Sequence, residues 1–254
     1  MRAQLPLRQL VATNFSPALL YPLSAAAFTG LQKLDISFDD VPDANRLAPI
    51  MQQLAVALPR LGKLSSFEFS VLLSTGGDFT DWTPNQNQAE SVTWQLPAAM
   101  SVSIAAAAPP LIVAPKATKL YMHAITPSTA DLRRMLRSAV KSPLLSELSL
   151  HVSPEASPCS MSAQWAEIVQ QEQPQAKKSL WPLLTQFLSS GSFNGAALEQ
   201  MHWPRLSSVS MIVEIPTSTS QIAAFISRSP LLKDANLRIN GPHEHWQAQL
   251  QPTA

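Results

Sequence analysis

Residues 118–150 and 207–237 carry the same pieces in the same order, and this repetition constrains the fold more than any other feature of the chain. Each begins with a short apolar–polar alternation, Leu120-Tyr121-Met122 or Val209-Ser210-Met211. A proline follows (Pro127 or Pro216), then a Ser/Thr cluster and an apolar stripe: Leu132, Met135, Leu136 and Ala139, or Ile222, Phe225 and Ile226. Both reach Ser-Pro-Leu-Leu, at 142–145 and 229–232, and close on a second alternation, Leu148-Ser149-Leu150 or Ala235-Asn236-Leu237. Period two predicts a strand and the i, i+3, i+4 stripe predicts a helix. Ser128 before Asp131 and Ser218 before Gln221 have the spacing of a capping box, and Arg133, Arg134 and Arg137 are expected on the outer helix face. Pro143 and Pro230 sit where a proline stops a helix and extends the residue before it. The unit predicted is strand, turn, helix, proline stop, strand.

Weaker copies occur elsewhere. Leu31-Gln32-Lys33-Leu34-Asp35-Ile36 reads as a strand, followed by a helix over about 45–58 and a second strand at Leu64-Ser65-Ser66-Phe67-Glu68-Phe69. A degenerate strand is expected over 99–104, and Pro59-Arg60-Leu61 is echoed by Pro204-Arg205-Leu206. Equivalent inward positions then fall at 34, 67, 102, 120, 148, 209 and 235. Residues 74–91 and 152–179 break the rhythm as insertions, the second holding a short helix with Met161, Trp165, Ile168 and Val169. Leu180, Leu183, Leu184, Phe187 and Leu188 are spaced like a further core-facing helix, and residues 241–254 form a polar tail. The organisation expected is a single domain over 1–240.

Composition excludes several function classes. A net charge of +1 among 254 residues, only 14% of them charged, argues against nucleic-acid or anionic-membrane binding through bulk charge. With 22 prolines against 7 glycines, a Gly-rich phosphate loop on a doubly wound sheet is disfavoured, and neither G-x-G-x-x-G nor a P-loop occurs. The longest apolar run, 104–115, is too short to span a bilayer and holds Pro109 and Pro110. A single cysteine, Cys159, and no continuous apolar leader point to an intracellular protein, cytoplasmic or nuclear. His243-Glu244-His245 lacks the three or four converging ligands a metal needs, and no G-x-S-x-G elbow is found. Lys177-Lys178 reads as a solvated helix start, and Trp165, Trp181, Trp203 and Trp246 as packing residues. No catalytic, cofactor-binding or metal residue is assigned.

The L-x-x-L-x-L strands, the strand–helix rhythm and the repeated Ser-Pro-Leu-Leu resemble leucine-rich repeats, and more narrowly the degenerate repeats C-terminal to the F-box in fungal F-box proteins. The resemblance covers about residues 28–240. It implies an α/β fold, an irregular solenoid with parallel strands on one face and helices on the other. It also implies a non-enzymatic role without cofactors, as the substrate-recruiting region of an F-box-type ubiquitin ligase component. No F-box is recognised in the chain; Leu5-Pro6-Leu7 is too little. The adaptor of a cullin-type ligase is therefore a partner only if an F-box lies outside this sequence. A repeat scaffold unrelated to ubiquitin is the alternative, and an α/β enzyme of unknown reaction a further one. In such a solenoid the residues between inward strand positions line a concave face. Lys33, Asp35, Glu68, Lys119, Tyr121, His123, Glu147, His151, Asn236 and Arg238 are the candidate contacts for a protein partner, with Tyr121, His123, His151 and Arg238 as anchors.

Overall fold

The structure, a computed structural model, describes residues 7–14, 28–39, 44–71, 92–106, 108–125, 128–153, 160–172 and 179–240. Strands β1 (Gln9–Thr13), β2 (Lys33–Phe38), β3 (Ser66–Val71), β5 (Ser101–Ala106), β7 (Lys119–Ala124), β8 (Glu147–Val152), β9 (Gln186–Phe193), β10 (Ser208–Glu214) and β11 (Asp234–Asn240) form one sheet in that order. Every pairing in it is parallel. The inward positions read from periodicity are lateral neighbours across the sheet: Leu34, Phe67, Val102, Leu120 and Leu148 in one run, and Val209 beside Ala235. Leu10 extends the row at one end, and Phe187 joins Leu148 to Val209.

Phe187 therefore lies on a strand, which overturns the helix expected over 180–188. The apolar residues there have helical spacing, yet Leu184 N–H donates to the Trp181 carbonyl at 3.1 Å, closing a turn that feeds β9. The same bond precedes every later strand of the sheet. Its carbonyl and amide residues are Phe28/Leu31, Leu61/Leu64, Leu96/Ala99, Ala114/Ala117, Ser142/Leu145, Trp181/Leu184, Trp203/Leu206 and Ser229/Leu232, at 2.9–3.3 Å. The second residue of the turn is proline in six of the eight (Pro97, Pro115, Pro143, Pro182, Pro204, Pro230), where a φ fixed near −65° fits. Pro59 is not one of them. It lies in a 3-10 turn, Leu58–Arg60, and Leu61 opens its turn whereas Leu206 closes one, so the two Pro-Arg-Leu triplets are not equivalent.

The residue before each strand of the sheet except β11 forms a rung. The carbonyls of Arg8, Gln32, Ser65, Met100, Thr118, Ser146, Thr185 and Ser207 each accept two backbone N–H bonds from the next unit, at 2.8–3.1 Å. At five rungs a side chain adds a third donor: Ser65 to Gln32, Thr118 to Met100, Ser146 to Thr118, Thr185 to Ser146 and Ser207 to Thr185, at 2.9–3.2 Å. This hydroxyl ladder fixes the stacking register at the point where each turn becomes a strand.

A second layer also follows chain order. It consists of α1 (Ala44–Ala57), the strands β4 (Thr93–Gln95) and β6 (Leu111–Val113), α2 (Thr129–Val140), α3 (Ser162–Glu172), α4 (Gly195–Gln200) and α5 (Thr219–Ser227), each touching the next. Only 18 residues separate the inward positions Val102 and Leu120, too few for a packed helix, and β6 paired to β4 fills the layer instead. The boxes at Ser128–Asp131 and Ser218–Gln221 cap α2 and α5. Arg133 and Arg137 reach Glu167 on α3, at 2.9 and 3.4 Å. Arg134, expected outside, is turned inward, pairing with Asp131 and donating to the Pro109 carbonyl, because β6 covers that side of α2.

The layers enclose one apolar cluster with aromatic groups toward both ends of the sheet. Trp94 stacks edge-on to Phe67 and Phe69 at 5.5 and 5.1 Å. Farther along, Trp203 meets Trp165, Trp181, Phe187 and Phe225 within 6.1 Å. Indole N–H groups also hold the helices: Trp94 donates to the Met51 carbonyl and Trp181 to that of Ala139, both at 2.9 Å. The packing role read for Trp165, Trp181 and Trp203 is thus what the structure shows. The insertion at 74–91, Cys159, Lys177-Lys178, His243-Glu244-His245, Trp246 and the tail lie outside the described residues. Among the described residues no helix is long and apolar enough to cross a membrane.

Candidate partner-binding face

Alternation along each strand turns the core row inward and leaves the other residues on an outer face. All ten sequence-derived candidates stand on that face, in three groups. Lys33 and Asp35 are on β2, with Glu68 beside Asp35 on β3. Lys119, Tyr121 and His123 on β7 face Glu147, Ser149 and His151 on β8, residue for residue. Asn236 and Arg238 stand on β11, three strands beyond β8, beside Ser210 and Ile212. The central group forms contacts among its own members and the others do not join it.

Within that group Lys119 Nζ pairs with Glu147 Oε1 at 2.8 Å. Both side chains are more than a third exposed, so the pair contributes orientation more than stability. The ring of Tyr121 lies 5.2 Å from that of His151, tilted by 36°, and His123 meets His151 edge-on at 6.2 Å. His123 Nε2 also shares a hydrogen bond of 3.2 Å with Ser153 Oγ. Partial burial lowers the pKa of both imidazoles, and the charge His151 would carry lowers that of His123 further. Burial likewise raises the Tyr121 hydroxyl, so the cluster presents neutral, polarisable rings near neutral pH.

Beyond β8 the outer face carries two residues that a helical reading of 180–188 conceals. Gln186 lies beside Glu147 and Leu188 beside Ser149. Leu188 and Tyr121 are 41% and 37% exposed, large apolar surfaces flanking the small Ser149. The available signal was Pro182-Leu183-Leu184, which matches the Pro-Leu-Leu at 143–145 and 230–232. A depression of about 380 Å³ crosses β5, β7, β8, β9 and β10 between two rows of these side chains. Past Leu188 the register between β9 and β10 shifts, so the row containing His123 and His151 is not continued evenly across β9.

Among the described residues no three His, Cys, Asp or Glu side chains converge as metal ligands. What the arrangement offers is surface chemistry: hydroxyls, an ion pair, tilted and edge-on rings and one exposed leucine on a parallel sheet. A scan of the chain against protein-family models finds no matching family, and a search of curated proteins finds no similar sequence.

Proposed function

We propose that this chain is a non-catalytic interaction scaffold, a leucine-rich-repeat-like solenoid that recruits a protein partner on its outer sheet face. Eight turns closed by the same hydrogen bond, the hydroxyl ladder and a sheet whose order is chain order support stacked repeats. The observation that carries the binding role is the exposed pair Tyr121 and Leu188 bordering a depression in the middle of that face. Exposed aromatic and aliphatic anchors around a pocket are where binding energy concentrates. Resemblance to the repeats of fungal F-box proteins extends the reading to substrate recruitment for a cullin-type ubiquitin ligase.

The test is photo-crosslinking in cells from position 121 on the sheet and, as control, from position 166 on α3. A defined protein captured at 121 and not at 166, and lost in the Leu188→Ala background with unchanged thermal stability, is the expected result. Equal labelling from both positions would sink the face. The ubiquitin half falls if the captured partner's ubiquitination is unchanged when the ligase adaptor is depleted.

A further inference from the structure

We infer that the depression across β5–β10 is a trough for an extended, proline-rich peptide in the polyproline II conformation, with an apolar residue at every third position. This rests on the sheet face being the interaction surface and names what it holds.

The trough runs across the strands. One wall is polar, with Lys119, Glu147 and Gln186; the other alternates Tyr121, Ser149 and Leu188. The walls are two residues apart along each strand, about 6.6 Å, whereas an α-helix with side chains measures about 10–12 Å. That spacing favours a narrow, extended chain over a helix.

The second wall sets the period. Ser103, Tyr121, Ser149, Leu188 and Ser210 are consecutive lateral neighbours, small and large in alternation. The sockets at Ser103, Ser149 and Ser210 are thus two strands apart, or about 9.6 Å. Polyproline II advances about 9.3 Å in three residues, which seats positions i, i+3 and i+6 in successive sockets. A β-strand ligand repeats its side chains about every 6.8 Å and falls out of step by the second socket.

Charge and hydrogen bonding agree with the spacing. The trough's two charged groups neutralise each other at 2.8 Å, which matches an uncharged ligand. Prolines carry no N–H, so such a ligand needs mainly donors, and the Gln186 amide and the serine hydroxyls supply them. The Tyr121 ring offers the aromatic wall on which proline-rich ligands dock.

Three fluorescein-labelled nonapeptides serve as probes, read by fluorescence anisotropy: three Leu-Pro-Pro triplets, three Leu-Gly-Ser triplets, and alternating Leu-Thr. The first is expected to bind at least about tenfold tighter than the others, since its conformation is preformed. Ser149→Leu, which fills the central socket, and Tyr121→Ala should each weaken it by about tenfold or more, and Ala166→Leu on α3 should not. Equal affinity for the three peptides, or binding indifferent to Ser149→Leu in a variant with wild-type melting, overturns the inference. If crosslinking from position 121 still captures a partner while the Leu-Pro-Pro peptide shows no preference, the interaction face stands and the polyproline ligand falls. Loss of both removes both.

Discussion

At the scale of single residues, the outer face is built from groups that are unremarkable alone and shift one another when adjacent. His123 and His151 are brought side by side because β7 and β8 pair in register, and their rings shield each other from water. With both native pKa values lowered, the unfolded chain takes up protons first as pH falls. Stability is therefore greatest above the ordinary histidine range, declines as pH drops through it, and levels off below the native values. The nearest charges along the same two strands, Lys119 and Glu147, pair with each other. Replacing His151 by Gln removes the neighbouring charge, so His123 should titrate at higher pH, and the fall in melting temperature between about pH 7.5 and about pH 5.5 should shrink. Imidazole C2-proton NMR measures the first and thermal denaturation the second. A His123 titration unchanged in His151→Gln would contradict this account.

At the scale of elements, each strand is positioned by what precedes it. The turn delivers the chain, the rung carbonyl collects two backbone N–H groups, and at five junctions a hydroxyl adds a third. Thr185→Val deletes only that third donor while keeping the side chain's shape, and a net cost of about 0.5–1.5 kcal/mol is expected in denaturant unfolding. Met100 occupies a rung position with no hydroxyl, so Met100→Thr supplies the missing donor to the Ser65 carbonyl and should stabilise by up to about 1 kcal/mol. Identical unfolding midpoints for both variants and wild type would mean that the ladder is incidental. These junctions also decide what was legible beforehand. Leu34, Phe67, Val102, Leu120, Leu148, Val209 and Ala235 could be aligned because strand alternation and Ser-Pro-Leu-Leu survive in sequence. Phe187 could not, since Leu180, Leu183 and Leu184 imitate a helical stripe when the turn at Trp181 is unseen. The exposed role of Leu188 was lost with it. Grouping on the face was illegible for another reason: which candidates touch depends on strand adjacency, which separates Arg238 from His151 by two strands.

For the whole molecule, chain-ordered stacking predicts that stability is distributed along the sheet. Strand β9 touches β8 and β10, α4 touches α3 and α5, and among the described residues no pairing joins the first strands to the last. The apolar cluster is continuous, yet its largest aromatic group gathers around Trp203, with Phe187 from β9 and Phe225 from α5. Trp203→Ala removes ring contacts to Trp165, Trp181, Phe187 and Phe225 and leaves a cavity. A loss of about 3–5 kcal/mol is expected for truncating a fully buried tryptophan. In a fold closed by long-range pairings that loss would spread to every strand. Here the units beyond β9 depend on the damaged group directly, whereas β2, β3 and β5 keep Trp94, Phe67 and Phe69. Amide hydrogen exchange in Trp203→Ala should therefore quicken strongly in β9, β10 and β11 and much less in β2, β3 and β5. Uniform quickening across all nine strands would show that the sheet opens as one cooperative unit, and that nearest-neighbour stacking does not govern its stability.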